Sequence, residues 1–486
     1  NDVDYTIIKS RDLTDYVLSQ TIMLDPSRKF YVPDQVLEVT MAIKANDVPA
    51  LGYVQYSIDT QKDSHKETAD KKVLENKYYT IEVEENGSLT IVDKANNVTY
   101  KNQGILVENG DDGDSFNYSP PRKDMEVFSN ESKCTVKISG SDIYDQAEIH
   151  FDMVVPADLD ERAEGKVSVT MLVDMTVALR KDSKVIDFNV KVDNKGLSHR
   201  LCVLFDSQIV SAFNYADQQF GLIKRPNYYE KEMKLYMESM NNKTEKKAGI
   251  QELANWANDQ STWQEPPISI EPTQSYVSLT DGKTGIAVIP QGVREYEVLD
   301  DSKIRLTLFR TYGFMGKENL IYRPGRASGE RIIETPAAQL LKEMEFNFGF
   351  TSYAGDINDS DIDTLAKQYN TNLEVYTYAE FLNGRLIFSQ REIEGQNAKI
   401  HSLFETEGNL VVSAVKKAEE DDGYIIRLYN GKDHKDLDDK IKFNFDIKEA
   451  YYTNLKEEKT EEIKVENNTI SVKELSHCKF VTIWVK

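Results

Sequence analysis

Cysteine is nearly missing from this sequence: Cys134, Cys202 and Cys478 lie far apart and are odd in number. A secreted disulfide scaffold needs a denser and even set, so a reducing compartment, the cytoplasm, is the expected location. Basic residues are short as well, with 59 Lys and Arg against 82 Asp and Glu and a net charge of −23. Nucleic acid is held by concentrated Lys and Arg, which excludes it as a partner. No apolar run approaches the ~18–20 residues of a membrane span, so no integral membrane protein is expected. The chain opens at Asn1 without Met and without a basic-then-apolar leader, which reads as a processed end or as the boundary of a piece of something longer. His-Glu-x-x-His, Cys-x-x-Cys, Gly-x-Ser-x-Gly and phosphate-cradling glycine loops are all absent, and nucleophilic and metal chemistry lose their usual signatures with them.

What is present is strand. At 486 residues, with 40% hydrophobic and 10% aromatic residues, the chain is too apolar for disorder and long enough for two to four domains. Alternation of Val, Ile, Thr, Tyr and Phe recurs from end to end, broken by short polar turns. Tyr78 to Val83 and Ser88 to Val92 predict a hairpin around Glu85-Asn86-Gly87. Lys166 to Val177, Val185 to Val192 and Arg200 to Phe205 predict three successive strands. Asn409 to Val415 with Tyr424 to Tyr429, then Ile463 to Val472 and Lys479 to Val485, predict strands near the end. Helix signals are few: Arg11 to Gln20, and Asp359 to Tyr369 with Ser360 and Asp361 as caps. The Lys- and Glu-rich stretch 229–250 reads as an exposed excursion. The expected fold is mostly β. Composition divides it into a small β segment over 1–65, a large sandwich over 70–375 and a C-terminal sandwich over 385–486.

Few motifs carry chemistry by themselves. His150-Phe151-Asp152 has a spacing that serves metals, but it lies in an alternating strand and no other histidine is near in sequence. His65 and His434 fall in charged stretches, and His477 flanks a strand. Two clusters stand out. Asp111 to Pro121 mixes acids, hydrogen-bonding side chains and aromatics, the combination by which proteins grip sugar hydroxyls and stack on sugar faces. An ordinary acidic loop is the plain alternative. Arg310-Thr311-Tyr312-Gly313-Phe314 and Tyr322 to Arg326 form a glycine-rich loop whose arginines suit a carboxylate or phosphate, or salt bridges that tie the loop to the neighbouring domain.

Taken in order, these residues resemble the β region of glycoside hydrolase family 38, the α-mannosidases. The likeness runs from Val48-Pro49-Ala50-Leu51-Gly52-Tyr53 and Glu75 to Ile91 through the Gly113-Asp114 cluster. It continues through Val192-Asp193-Asn194 with His199-Arg200-Leu201, Gln219-Phe220-Gly221, Leu308 to Thr311 and Pro324-Gly325, and ends at Leu410 to Glu419 and Ile426 to Asn430. It is nearest to bacterial members, including those acting on mannosylglycerate. The resemblance implies a galactose-mutarotase-like supersandwich flanked by smaller β-sandwiches. It also implies a retaining hydrolysis of terminal α-mannosides by the whole enzyme, with zinc and the carboxylate nucleophile on an N-terminal catalytic domain outside this chain. No catalytic or metal residue is therefore assigned here, and none of the cofactor's ligands. Asp114, Ser115, Tyr118, Arg310 and Arg323 are the expected substrate-binding residues. The expected partners are an α-mannoside or mannosylglycerate-type carbohydrate and that N-terminal domain, and a homo-oligomer is compatible with both. Two readings compete: a non-catalytic carbohydrate-binding or structural sandwich, and a mutarotase or lyase using His199, His401 and Tyr118 as acid–base groups.

Overall fold

A computed structural model describes residues 3–21, 35–56, 69–242, 265–323, 332–376, 400–433 and 436–486. His65, His434, Pro324, Gly325, Arg326 and most of the expected opening of the last unit at 391–400 lie outside the described residues.

The chain is mostly β. Two large antiparallel sheets share one core. The ten-stranded sheet runs, edge to edge, through Gly221–Pro226, Phe213–Gln218, Val277–Thr280, Thr284–Gln291, Glu343–Ala354, Ile186–Asp193, Val169–Arg180, Tyr144–Val155, Lys133–Gly140 and Ala69–Asp70. The six-stranded sheet runs through Val127–Phe128, Ile105–Gly110, His199–Asp206, Lys303–Arg310, Glu295–Leu299 and Glu271–Pro272. Side chains alternate across a strand, so Leu201, Val203 and Phe205 point into the core while Arg200 and Cys202 point the other way. Phe205 meets Phe188 at 5.4 Å and Phe350 at 5.4 Å, joining the sheets. A four-stranded sheet, Leu74–Glu75, Tyr79–Val83, Leu89–Asp93 and Val98–Gln103, closes the same core with Ile81, Leu89 and Ile91. Its first hairpin turns where the sequence places it. Gly87 has φ +81, and an added Cβ would meet the Phe151 ring at 2.5 Å.

The three strands expected from 166 to 205 all form, but they do not stay together. The first two belong to the ten-stranded sheet, and the chain crosses at Asn194-Lys195-Gly196 so that His199–Asp206 enters the six-stranded one. Near the end, Ile463 to Val472 is not one strand. Asn467 and Asn468 have φ 51 and 60, and this turn separates Lys459–Ile463 from Thr469–Leu475. The helix Ile362–Tyr369 forms without the expected Asp361 cap: Asp361 pairs with Lys184 instead, and Ser360 Oγ accepts from Ile362 N at 3.4 Å. Thr14–Thr21 and Glu230–Asn242 are helical, and residues 243–250 of the second stretch lie outside the described residues.

A three-stranded and a five-stranded sheet, drawn from residues 404–485, enclose a second core around Leu428, Ile441, Ile470 and Ile483. It meets the large sandwich along a polar and aromatic seam. Lys432 Nζ pairs with Asp363 at 2.5 Å, Asp433 N donates to Asn358 at 2.7 Å, and Phe220 stacks on Phe480 at 5.2 Å.

Candidate functional site

Two loops leave the same end of the six-stranded sheet, one after Ile105–Gly110 and one after Lys303–Arg310. They are the two clusters singled out in the sequence, and they brace each other. Asp111 and Asp114 each first turn their own loop: Asp111 Oδ1 accepts from Gly113 N at 2.8 Å, and Asp114 Oδ1 from Phe116 N at 2.9 Å and Asn117 N at 3.0 Å. Gly113 leaves no room for a Cβ, which would strike the Asn117 carbonyl. The arginines then cross over. Arg310 grips Asp111 bidentately, Nε at 2.6 Å and Nη2 at 3.2 Å, and donates to the carbonyls of Asp114 at 2.9 Å and Asn117 at 3.0 Å. Arg323 pairs with Asp114 through Nη2 and reaches Asn117 Oδ1 through Nη1. Lys317 N donates to Asp114 Oδ2 at 2.7 Å. Burial works against the Asp114 carboxylate, but Arg323 and these backbone N–H groups outweigh it and hold the carboxyl below its usual range.

Asp114, Arg310 and Arg323 are thus engaged within the chain: the arginines do form salt bridges, but to the 111–117 loop of the same sandwich and not to a neighbouring domain. What the knob leaves outward is different. Phe116 is 60% exposed at the tip, whereas the Ser115 hydroxyl is buried without a hydrogen-bond partner and Tyr312 lies under the Arg310 guanidinium at 5.1 Å.

Behind the knob, the outer face of the six-stranded sheet holds charges that the sequence reading missed. Glu297 Oε1 receives Arg200 Nη2 at 2.9 Å, Arg305 Nε at 2.8 Å and Arg305 Nη2 at 2.7 Å. Arg305 Nη1 continues to Glu126 at 2.8 Å. Arg200 Nε donates to Asn109 Oδ1 at 2.9 Å, and its guanidinium lies 4.0 Å over the Tyr118 ring. Tyr118 in turn donates no hydroxyl outward: the hydroxyl is buried and accepts from Asn109 Nδ2 at 3.1 Å. Tyr322 meets Tyr118 edge-on at 5.9 Å. The signal was legible in principle. Arg200, Glu297 and Arg305 are charges alternating with apolar residues on strands that have little solvent to face.

His199 lies beside Arg200 in sequence but on the opposite face. Its Nδ1 is 3.0 Å from Glu108 and its Nε2 2.9 Å from Asn194, whose own amide donates to the carbonyls of Gln339 and Leu340. Glu108 also pairs with the buried Arg162, a helix residue that carried no sequence signal. His401 is on Ile400–Ser402, paired with Gly52–Val54 in a separate small sheet. His199, His401 and Tyr118 therefore do not converge, and the mutarotase or lyase reading loses its acid–base set.

His150 bonds Asp174 at 2.6 Å and Asp152 at 3.3 Å, in an open groove of about 400 Å³ on the ten-stranded sheet. The Asp174 hydrogen bond raises its pKa above the usual imidazole value. Among the described residues no group of three or more His, Cys, Asp and Glu side chains is placed to hold a metal ion. Zinc does not fit the described residues, and no step is routed through it. Among the same residues no helix is long and apolar enough to cross a membrane.

Comparison with known proteins agrees over most of the chain. Residues 74–314 match the model of the glycosyl hydrolases family 38 C-terminal domain, and residues 409–482 match that of the family 38 C-terminal beta sandwich domain. A protein of Halalkalibacterium halodurans provisionally named mannosylglycerate hydrolase is 24% identical over 420 residues, covering 82% of this chain and 40% of that protein. Two Enterococcus faecalis crystal structures share the fold over the whole chain. One is a protein in glycosyl hydrolase family 38 and the other an alpha-mannosidase, each with a TM-score of 0.70 and 18% identity. The chain covers 51% and 49% of them, so it spans about half the length, or less, of these relatives.

Proposed function

Because the chain belongs to glycosyl hydrolase family 38, as its C-terminal β region, we propose that it is the scaffold half of a retaining hydrolase of terminal α-mannosides. The observation that carries this reading is the pair of family models matched in order along both sandwiches. In the proposed reaction one carboxylate attacks the anomeric carbon and a second carboxyl group protonates the leaving oxygen, both from the region outside this chain. Zinc, where the whole enzyme holds it, would orient sugar hydroxyls. A mannosylglycerate-type substrate is the favoured variant, given the name carried by the Halalkalibacterium halodurans relative.

The part of this chain is to hold a rigid wall at the edge of the site. The Asp114–Tyr118 and Arg310–Arg323 loops are the pieces proposed for it. In this account Asp114, Arg310 and Arg323 fix the shape of the knob by pairing internally, while Phe116 offers an aromatic face to the sugar. Rigidity matters because a contact misplaced by an ångström loses much of its value in catalysis. The test is hydrolysis of an aryl α-mannoside by the complete protein, with the configuration of the first-formed mannose read by NMR. An α-anomer supports the proposal. A β-anomer, or no release of mannose at all, removes it.

A further inference from the structure

The loops of the knob bury polar groups and turn apolar side chains outward, the reverse of the usual order. Asp111, Asp114, Thr311 and Arg323 are buried, while Met315, Ile321, Ile332, Ile333 and Leu341, on the segments 310–323 and 332–342, are 39–58% exposed beside Phe116. Backbone bonds join these segments to the Phe116 loop and to each other. Ser115 N donates to the Phe314 carbonyl at 3.2 Å, Thr335 N donates to the Gly313 carbonyl at 2.8 Å, and Met315 stands opposite Ile333 in a short antiparallel pair. Leu341 is held at a tight turn. Lys342 N donates to the Leu340 carbonyl at 2.7 Å, the Asn194 side chain donates to the same carbonyl at 3.2 Å, and Asn194 N donates to the Lys342 carbonyl at 3.2 Å. The patch therefore has a fixed shape, and little freedom is lost when something settles on it. It is also nearly neutral. Segments 111–119, 310–323 and 332–342 carry four basic and five acidic residues, and Asp111, Asp112 and Asp114 pair in turn with Arg310, Lys317 and Arg323, whereas the whole chain has a net charge of −23.

We propose that this apolar apron is the docking surface for the N-terminal half of the same protein, the half that lies outside this chain. The interface rests on the reading of this chain as a scaffold half, and it gives that reading the place where the halves meet. Covering an exposed apolar patch releases water, which is why such patches mark interaction sites. Three observations select the occupant. Both matched family models are C-terminal domains and the chain covers only 40–51% of its relatives, so about as much protein again, or more, is left to settle on this half. The apron adjoins the Asp114–Tyr118 loop through the Ser115–Phe314 bond, and that loop is the wall across which the reacting groups of the other half are placed. A second copy is the poorer occupant. It brings another charge of −23 to the encounter, whereas a half joined through the backbone meets the patch at an effective concentration on the order of millimolar.

The test uses the complete protein and needs no hydrolysis. The photo-crosslinking residue p-benzoylphenylalanine is placed singly at Ile333, at Leu341 and, as a control, at Leu172, which is 44% exposed on the outer face of the ten-stranded sheet. After irradiation, linked peptides are identified by mass spectrometry. Links from positions 333 and 341 to residues that precede this chain are expected, roughly tenfold or more above those from position 172, because proximity sets the yield. All three side chains are exposed, so the substitutions leave the cores intact, and thermal melting of each protein checks this. Links from 333 and 341 that stay within this chain, that join two molecules, or that only equal those from 172 overturn the proposal, and so does the absence of any link. Failure of mannose release would leave these links in place, and loss of the links would leave mannose release in place, so the two readings fail separately.

Discussion

At the scale of single residues, the loop knob depends on charges that are buried and paired. Asp114 is 0% exposed, and its carboxylate is met by Arg323 and by three backbone N–H groups. Removing one partner of such a pair leaves an uncompensated charge, at a cost of roughly 3–5 kcal/mol. Asp114→Ala is therefore expected to lower stability by about that much, read from urea unfolding. A loss under about 1 kcal/mol would mean that the knob does not need its central pair. Asp217 offers a pH test. Burial, aided by the nearby Asp363 charge and opposed by the Ser275 hydroxyl, pushes its carboxyl up to about 6 from 3.8. The folded state then binds a proton that the unfolded state has already released, so this group's contribution falls as pH rises from about 4 to about 6. A decline on the order of 2–3 kcal/mol across that window is expected, and Asp217→Asn should flatten it in denaturant curves at each pH.

The same scale separates what the sequence disclosed from what it hid. The Asp114 and Arg310 clusters were visible because acids, glycines and arginines gather there within a few residues. Arg200, Glu297 and Arg305 were hidden because they come from three strands spread over 106 positions, and register across a sheet is not written in any one strand. That Asp114 and Arg323 pair with each other, rather than facing a ligand, is likewise decided by partners about 200 residues away.

Elements were more legible than their assembly. The hairpin at Tyr79–Val83 and Leu89–Asp93 follows from alternation plus one Asn-Gly turn, and both strands form. Its turn is sharply constrained. Gly87→Ala must place a side chain at φ +81 and against Phe151, so a loss of about 1–3 kcal/mol is expected from thermal unfolding, and an unchanged melting temperature would contradict this reading of the turn. Which sheet a strand joins was not legible. Ile186–Asp193 and His199–Asp206 are both rich in apolar residues and only a short turn apart, yet they belong to opposite sheets of the sandwich. Asn467-Asn468 looked like part of a strand because its flanks alternate, while the tolerance of Asn for positive φ ends one strand there and starts another.

At the scale of the whole molecule, two β-sandwich units meet along the Lys432–Asp363 seam and present a braced knob and a polar sheet face at one end of the larger unit. The central claim is that this half completes a site whose reacting groups come from elsewhere. The measurement is hydrolysis of an aryl α-mannoside by this chain alone, and again after mixing with a separately prepared N-terminal half of the same enzyme and zinc. The account predicts no turnover from either half and turnover on mixing, reduced in mixtures carrying Phe116→Ala. Turnover from this chain by itself would contradict it.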